Sequence, residues 1–252
     1  MHPSRHRPPP PGQPTRLGRA RRHAGFSLVE MAVVLVIVGL MIGGLLAPLS
    51  AQIEQRRTGE TQRALDDAKE ALIGFALLNG YLPCPAVSPS NGLEDRTGHL
   101  CTDNKRQGYL PWATLGLPKL DSWNHLYRYS VTPAFTNSAA YFTLRTARDI
   151  TVNTRDSAGT LLAATAPNDI PAVIMSHGKN GAGATSNAGI LVTATSASNV
   201  DEQANAGGDG TVFVSRIGSA SVAAPGGEFD DMVAWISPTI LYNRMVNAQR
   251  LP

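Results

Sequence analysis

Glu30 stands at the start of a long apolar run and is the residue of this chain best placed to do chemistry. Between Glu30 and Glu54 no residue carries a charge, and the stretch from Met31 to Ile53 is almost wholly apolar. A carboxylate at the edge of such a segment is costly unless it is neutral or paired, which makes it a functional candidate by default. Glu228, Asp230 and Asp231 form a second group, three carboxylates just after Gly226-Gly227. Enzyme patterns fare badly. Gly178-Lys179-Asn180-Gly181-Ala182-Gly183 is glycine-rich but lacks the G-x-x-x-x-G-K-[ST] order that cradles phosphate. Ser176 and His177 are adjacent, and in a strand adjacent side chains point to opposite faces, which does not suit a nucleophile and its base. Of the six histidines, His99, His125 and His177 are scattered and the others precede residue 25, and no H-E-x-x-H occurs. These features predict that the protein is not an enzyme.

The element that must position Glu30 is a helix. The apolar run has about the length needed to cross roughly 30 Å of hydrocarbon. Before it lie Arg5, Arg7, Arg16, Arg19, Arg21 and Arg22 and no acidic residue. The formal net charge of +3 therefore belongs to this leader; the remainder carries 16 basic against 19 acidic residues. A nucleic-acid partner is not expected on that balance. The same arginines predict that the N-terminus stays cytoplasmic and that the C-terminal part, after a single membrane span, faces the other side. Cys84 and Cys101, the two cysteines, fall in that exported part. An oxidising compartment makes their disulfide the default, closing a loop of about 18 residues and worth on the order of 3 kcal/mol. A zinc site is not expected, because no His/Cys cluster has ligand spacing.

The expected organisation is a proline- and arginine-rich leader (1–25), a transmembrane helix (26–53), its amphipathic continuation (54–80) and an exported globular domain (81–252). In the continuation Leu65, Ala68, Leu72, Phe75 and Ala76 recur at helical spacing opposite Glu60, Arg63, Asp67 and Glu70. Asn79-Gly80 followed by Pro83 is a stop signal. Pro48 and several glycines within the helix allow a kink. Residues 81–125 read as an irregular lobe. Strands are expected at 126–131, 141–146, 172–175, 190–193, 212–215 and 232–236, with exposed loops over 151–170 and 194–210. Such runs joined by turns argue for an antiparallel sheet laid on the helix. Ser237 and Pro238 mark the start of a C-terminal helix with Ile240, Leu241, Met245 and Ala248 on its apolar face. The fold class is α+β.

Gly25-Phe26-Ser27-Leu28-Val29-Glu30 and the run after it resemble the N-terminal signal of type IV pilins and type II secretion pseudopilins. The resemblance implies that a prepilin peptidase cuts between Gly25 and Phe26 and that Phe26 is then N-methylated. It implies that Glu30 pairs with the new amine of a neighbouring subunit during filament assembly. It also implies a lollipop-shaped pilin fold, a single-pass place in the bacterial inner membrane with the globular domain periplasmic, an inner-membrane assembly platform and other pilin or pseudopilin subunits as partners. Asp121-Ser122-Trp123-Asn124-His125-Leu126-Tyr127-Arg128-Tyr129 is similar in part to the Asp-Pro-Trp-Gly-Asn-Pro-Tyr-x-Tyr segment of major pseudopilins, agreeing at Asp121, Trp123, Tyr127 and Tyr129. Ser176-His177-Gly178-Lys179-Asn180-Gly181 and Glu228-Phe229-Asp230-Asp231 are similar to their calcium-binding loop, which implies Glu228, Asp230 and Asp231 as calcium ligands. Hard oxygen donors at turn positions suit calcium, although a long insertion separates the two stretches. The function expected is a structural subunit of a type II secretion pseudopilus or type IV pilus-related filament. The alternative is a monomeric, membrane-tethered periplasmic module that binds a ligand or a protein.

Overall fold

The computed structural model of the protein describes residues 25–251, the side chains of 43–48 excepted. The leader expected over 1–25 lies outside the described residues save for Gly25. The chain divides into two compact units between Ser50 and Ala51.

Helix α1 spans Leu28–Asn79 and includes Pro48. In its first part the large apolar side chains from Leu28 to Ile42 are all exposed, on every side of the helix. Among the described residues no helix is long and apolar enough to cross a membrane. The described apolar side chains up to Ile42 cover about 22 Å at 1.5 Å per residue, against roughly 30 Å of hydrocarbon. The span expected over 26–53 thus includes side chains, 43–48, that lie outside the described ones.

In the second unit the remainder of α1 is amphipathic. Leu65, Leu72 and Ala76 are fully buried, with Ala68 and Ile73 nearly so, one stripe at helical spacing. Gly80, at φ +82°, follows the last turn and its N–H donates to the Ala76 carbonyl, a left-handed stop that favours glycine.

The strands are β1 (Arg96–Thr97), β2 (Leu100–Cys101), β3 (Gln107–Tyr109), β4 (Arg128–Val131), β5 (Thr151–Arg155), β6 (Leu161–Ala163), β7 (Ala172–Ser176), β8 (Val212–Val214) and β9 (Met232–Trp235). Three further helices are α2 (Trp112–Leu115), α3 (Val200–Gly207) and α4 (Pro238–Asn247). The main sheet is antiparallel, in the order β3-β4-β7-β9. A second sheet has the order β6-β5-β8, with β5 and β8 parallel, and β1 pairs with β2. The fold is α+β, with a long N-terminal helix, an antiparallel main sheet, a smaller mixed sheet and a C-terminal helix, an arrangement consistent with a pilin-like fold.

Alternation along the strands gives the main sheet two buried faces. Tyr129, Val131, Ala172, Ile174, Ala234 and Ile236 meet the α1 stripe, joined by Leu241 and Met245 of α4. Val173 and Met175, on the opposite face, pack with Ile150, Val152, Ile170 and Phe213. On α4 Leu241 and Met245 are fully buried, whereas Ile240 and Ala248 are exposed, so the apolar face is narrower than expected. Ser237 stands at the N-cap position, but its hydroxyl makes no capping hydrogen bond.

Several expected elements differ. Residues 141–146 form no strand: Phe142 is buried against Phe135, with ring centroids 4.8 Å apart, and the Thr143 N–H donates to the Thr146 hydroxyl in a turn. Residues 190–193 make isolated bridges from Leu191 to Thr185 and from Thr193 to Ala182, with Ile190 and Leu191 exposed. Conversely, 151–170 holds β5 and β6, and 194–210 holds α3 with Asp201, Glu202 and Asn205 buried. The lobe 81–125 carries short β1, β2, β3 and α2. Within it Cys84 and Cys101 form a disulfide with Cα atoms 5.4 Å apart.

Candidate functional sites

At the N-terminus, Phe26 is 83% exposed, and among the described residues beyond its chain neighbours no atom lies within 4 Å of where a Cβ on Gly25 would sit. A protease requires an accessible bond, and on its described side this junction is exposed. Directly after it, Ser27 and Glu30, three residues apart, cap the helix reciprocally. The Ser27 N–H donates to Glu30 Oε2 at 2.8 Å, and the Glu30 N–H donates to Ser27 Oγ at 3.2 Å. This is a capping box, in which two otherwise unpaired donors of the first turn are satisfied by side chains. The S-x-x-E spacing carries this box, a role for Ser27 that sequence reasoning missed. It gives Glu30 a local structural role in the single chain, in addition to any role between subunits. Cleavage after Gly25 would leave the Ser27 amide, and hence the box, intact.

The second site lies where the two stretches separated by the long insertion meet. The Asn180 N–H donates to Asp230 Oδ2 at 2.7 Å, and His177 Nδ1 lies 3.5 Å from Asp231 Oδ1. Gly178 makes this approach possible: at φ +60°, a Cβ there would lie 2.3 Å from the Asp230 carbonyl oxygen. Three carboxylates converge, but they are Glu202, Asp230 and Asp231, each offering one oxygen within 4.8 Å of the others. Glu228, expected among them, is not part of this group; its N–H donates to Asn199 Oδ1 at 3.1 Å. Glu202 takes its place because α3 turns it inward, fully buried.

Asparagines hold this group in place. Glu202 accepts from Asn180 Nδ2 at 2.7 Å and from Asn199 Nδ2 at 3.1 Å, and Asp231 Oδ2 accepts from Asn205 Nδ2 at 2.8 Å. Asp230 Oδ1 and Asp231 Oδ1 are buried with no hydrogen-bond partner among the described residues. Burial, reinforced by the neighbouring Asp231 and Glu202 charges, pushes the Asp230 carboxyl up to about 7. Burial likewise raises Glu202 above the ordinary carboxylate range. The Lys179 ammonium, one residue before Asn180, lies 3.7 Å from Glu54 Oε2. An all-oxygen donor set with two unfilled acceptors fits a hard divalent cation, whose ligands at about 2.4 Å lie up to about 4.8 Å apart. Sequence reasoning missed Glu202, yet Asn199-Val200-Asp201-Glu202 has the spacing of a helix start with an acid at its third position.

A third arrangement braces the loop that presents Asp230. Asp201 receives Arg155 through two contacts of 2.7 Å and Arg216 through one of 2.7 Å, and Arg216 also donates to the Gly227 carbonyl. The Asp121 turn is built similarly. Asp121 Oδ1 accepts the N–H groups of Trp123 and His125, and Oδ2 accepts the Ser176 hydroxyl at 2.6 Å. Tyr127 and Tyr129 are buried in the α1-facing core, and the Trp123 indole donates to Glu54 on α1 at 3.2 Å.

Comparison with known proteins falls on the N-terminal site. A family model of the prokaryotic N-terminal methylation motif matches residues 20–46, spanning the Gly25–Phe26 junction, the Ser27–Glu30 box and the apolar helix to residue 46. No curated protein and no solved structure matches the chain. The exposed junction, the capped helix start and this match agree: the chain carries the prokaryotic N-terminal methylation motif characteristic of type IV pilins and pseudopilins.

Proposed function

We propose that this chain is a structural subunit of a pilin-like filament rather than an enzyme. Prepilin peptidase cuts between Gly25 and Phe26, Phe26 is N-methylated, and the helix beginning at Leu28 anchors the subunit in the inner membrane until assembly. The C-terminal domain then faces the periplasm, and the partners are other pilin or pseudopilin subunits and an inner-membrane platform. The observation that carries this reading is the methylation motif over residues 20–46, set on a helix start whose apolar side chains are exposed on all sides. A helix that is apolar all round needs lipid or other helices around it. Glu30 fits a dual role, capping its own helix and accepting the methylated amine of a neighbour. A type II secretion pseudopilus and a type IV pilus-related filament both suit these features.

The test is co-expression of the full chain with a prepilin peptidase. Mass spectrometry of the product should show loss of residues 1–25 and a methyl group on Phe26, and electron microscopy should show filaments or co-purified pilins. A processed protein that sediments as a monomer would favour the alternative, a membrane-tethered periplasmic binding module.

A second reading concerns calcium, supported by the unfilled oxygens of Asp230 and Asp231 beside Glu202. In this reading Glu202, Asp230 and Asp231 hold the ion and lock the loop before β9 against the loop after β7.

A further inference from the structure

On the main-sheet face turned away from α1, a cavity of about 310 Å³ opens over β3 and β4. Register explains which residues line it. Tyr109 is paired with Arg128, and Arg128 with Met175, so these side chains share one face, and His177 continues the row two residues beyond Met175. Lys105, exposed, joins them from the loop before β3. Among the described residues no aspartate or glutamate lines the cavity.

Arg128 is the anomaly. The other partly buried arginines among the described residues each reach a carboxylate: Arg96 to Glu94, Arg106 to Asp149, Arg148 to Asp169, and Arg155 and Arg216 to Asp201. Arg128 is likewise partly buried, yet its guanidinium has no ion pair or hydrogen bond among the described residues. Burial disfavours its charge, and the opposing fields come from Tyr109 and Asp231. Asp231 lies outside the cavity wall and is engaged by Asn205 at 2.8 Å. Gln107 lines the same cavity, and its amide nitrogen is buried without a partner. A half-buried guanidinium, an ammonium at the mouth and an idle amide donor, with no acid among them, is a donor set lacking its acceptor.

We propose that this cavity binds a small organic carboxylate. The planar guanidinium of Arg128 takes the carboxylate through paired N–H donors, and Lys105 supplies a second charge at the mouth. The volume exceeds that of an inorganic anion, and Val87, Leu126 and the Tyr109 ring offer apolar wall to a carbon skeleton. The carboxylate could belong to an open-chain acid or to an acidic sugar, and both present the same group to Arg128.

The test is isothermal titration calorimetry on the full chain in uncharged detergent, with succinate, D-galacturonate, D-galactose and inorganic phosphate as probes. At least one of the two acids should bind saturably, more tightly than phosphate, with galactose silent and affinity falling as sodium chloride is raised. Succinate binding points to a free organic acid and galacturonate binding to an acidic sugar. Arg128→Gln should weaken binding by about tenfold or more, the loss of a charge-assisted pair. Lys105→Gln, at an exposed position, should weaken it several-fold with thermal unfolding unchanged, so the result does not depend on how Arg128→Gln folds. Absence of saturable binding by either acid, phosphate binding as tightly as the better acid, or affinity undiminished in Lys105→Gln would each overturn the proposal.

Discussion

Ser27 and Glu30 close a reciprocal pair of hydrogen bonds at the start of α1, each side chain accepting the other residue's N–H at 3.2 and 2.8 Å. The pair assigns Glu30 a task within its own helix, so a loss of assembly in a Glu30 variant has two readings. Ser27→Ala separates them. Both Ser27→Ala and Glu30→Ala should speed amide exchange in the first turn by about fivefold, since each removes half of the box. Only Glu30→Ala should abolish filaments on electron micrographs. If Ser27→Ala abolishes them equally, capping accounts for the whole contribution of Glu30.

The acidic group makes stability depend on pH in an unusual direction. Asp230 titrates near 7 in the folded protein against 3.8 as its ordinary value. The folded state therefore binds more protons than the unfolded state between those values, and stability falls as pH rises through the window. Glu202 shifts in the same direction. In a metal-chelating buffer Tm should be higher at pH 5 than at pH 7.5, and Asp230→Asn should flatten the difference. A slope that survives in Asp230→Asn would place the titration elsewhere.

Calcium should oppose that trend. Added at pH 7.5, it should raise Tm in proportion to the logarithm of its concentration once the site is saturated. Glu202→Gln and Asp231→Asn should remove the effect and Glu228→Gln should leave it. Loss of the response in Glu228→Gln alone would restore the ligand set read from sequence and refute the one read from the fold.

Asp201 holds two arginines while only 3% of its side chain is exposed. Asp201→Ala leaves two largely buried guanidinium groups without their carboxylate and should cost about 3 to 5 kcal/mol, measured by urea unfolding. Removing Arg155 alone should cost less, because Arg216 remains to pair the acid. Near-equal losses would show that the two arginines act as one unit.

The Cys84–Cys101 bridge spans a sequence separation of 17. The double replacement Cys84→Ser, Cys101→Ser should lower unfolding free energy by about 3 kcal/mol. Its main local consequence should be in the lobe around β1 and β2, read as faster amide exchange there.

The sequence by itself determined what depends on hydrogen bonds and faces within a few residues. The Gly25–Glu30 junction, the buried stripe of Leu65, Ala68, Leu72 and Ala76, the stop at Gly80 and the helix starting at Pro238 are all local, with helical spacing or cap chemistry to mark them. Strands whose β-branched runs lie in the main sheet were equally legible, as at 172–175 and 232–236. Tertiary structure decided the rest, because a strand needs a partner that its own residues do not name. Thr151–Arg155 is polar but becomes a strand between two neighbours, whereas 141–146 alternates suitably and finds none. The sites follow the same division. Glu30 was visible from its neighbours in sequence. Glu202 joins Asp230 and Asp231 only because α3 brings it to them, and Arg128 lacks a carboxylate only because strand register turns it into a cavity where, among the described residues, no acid stands.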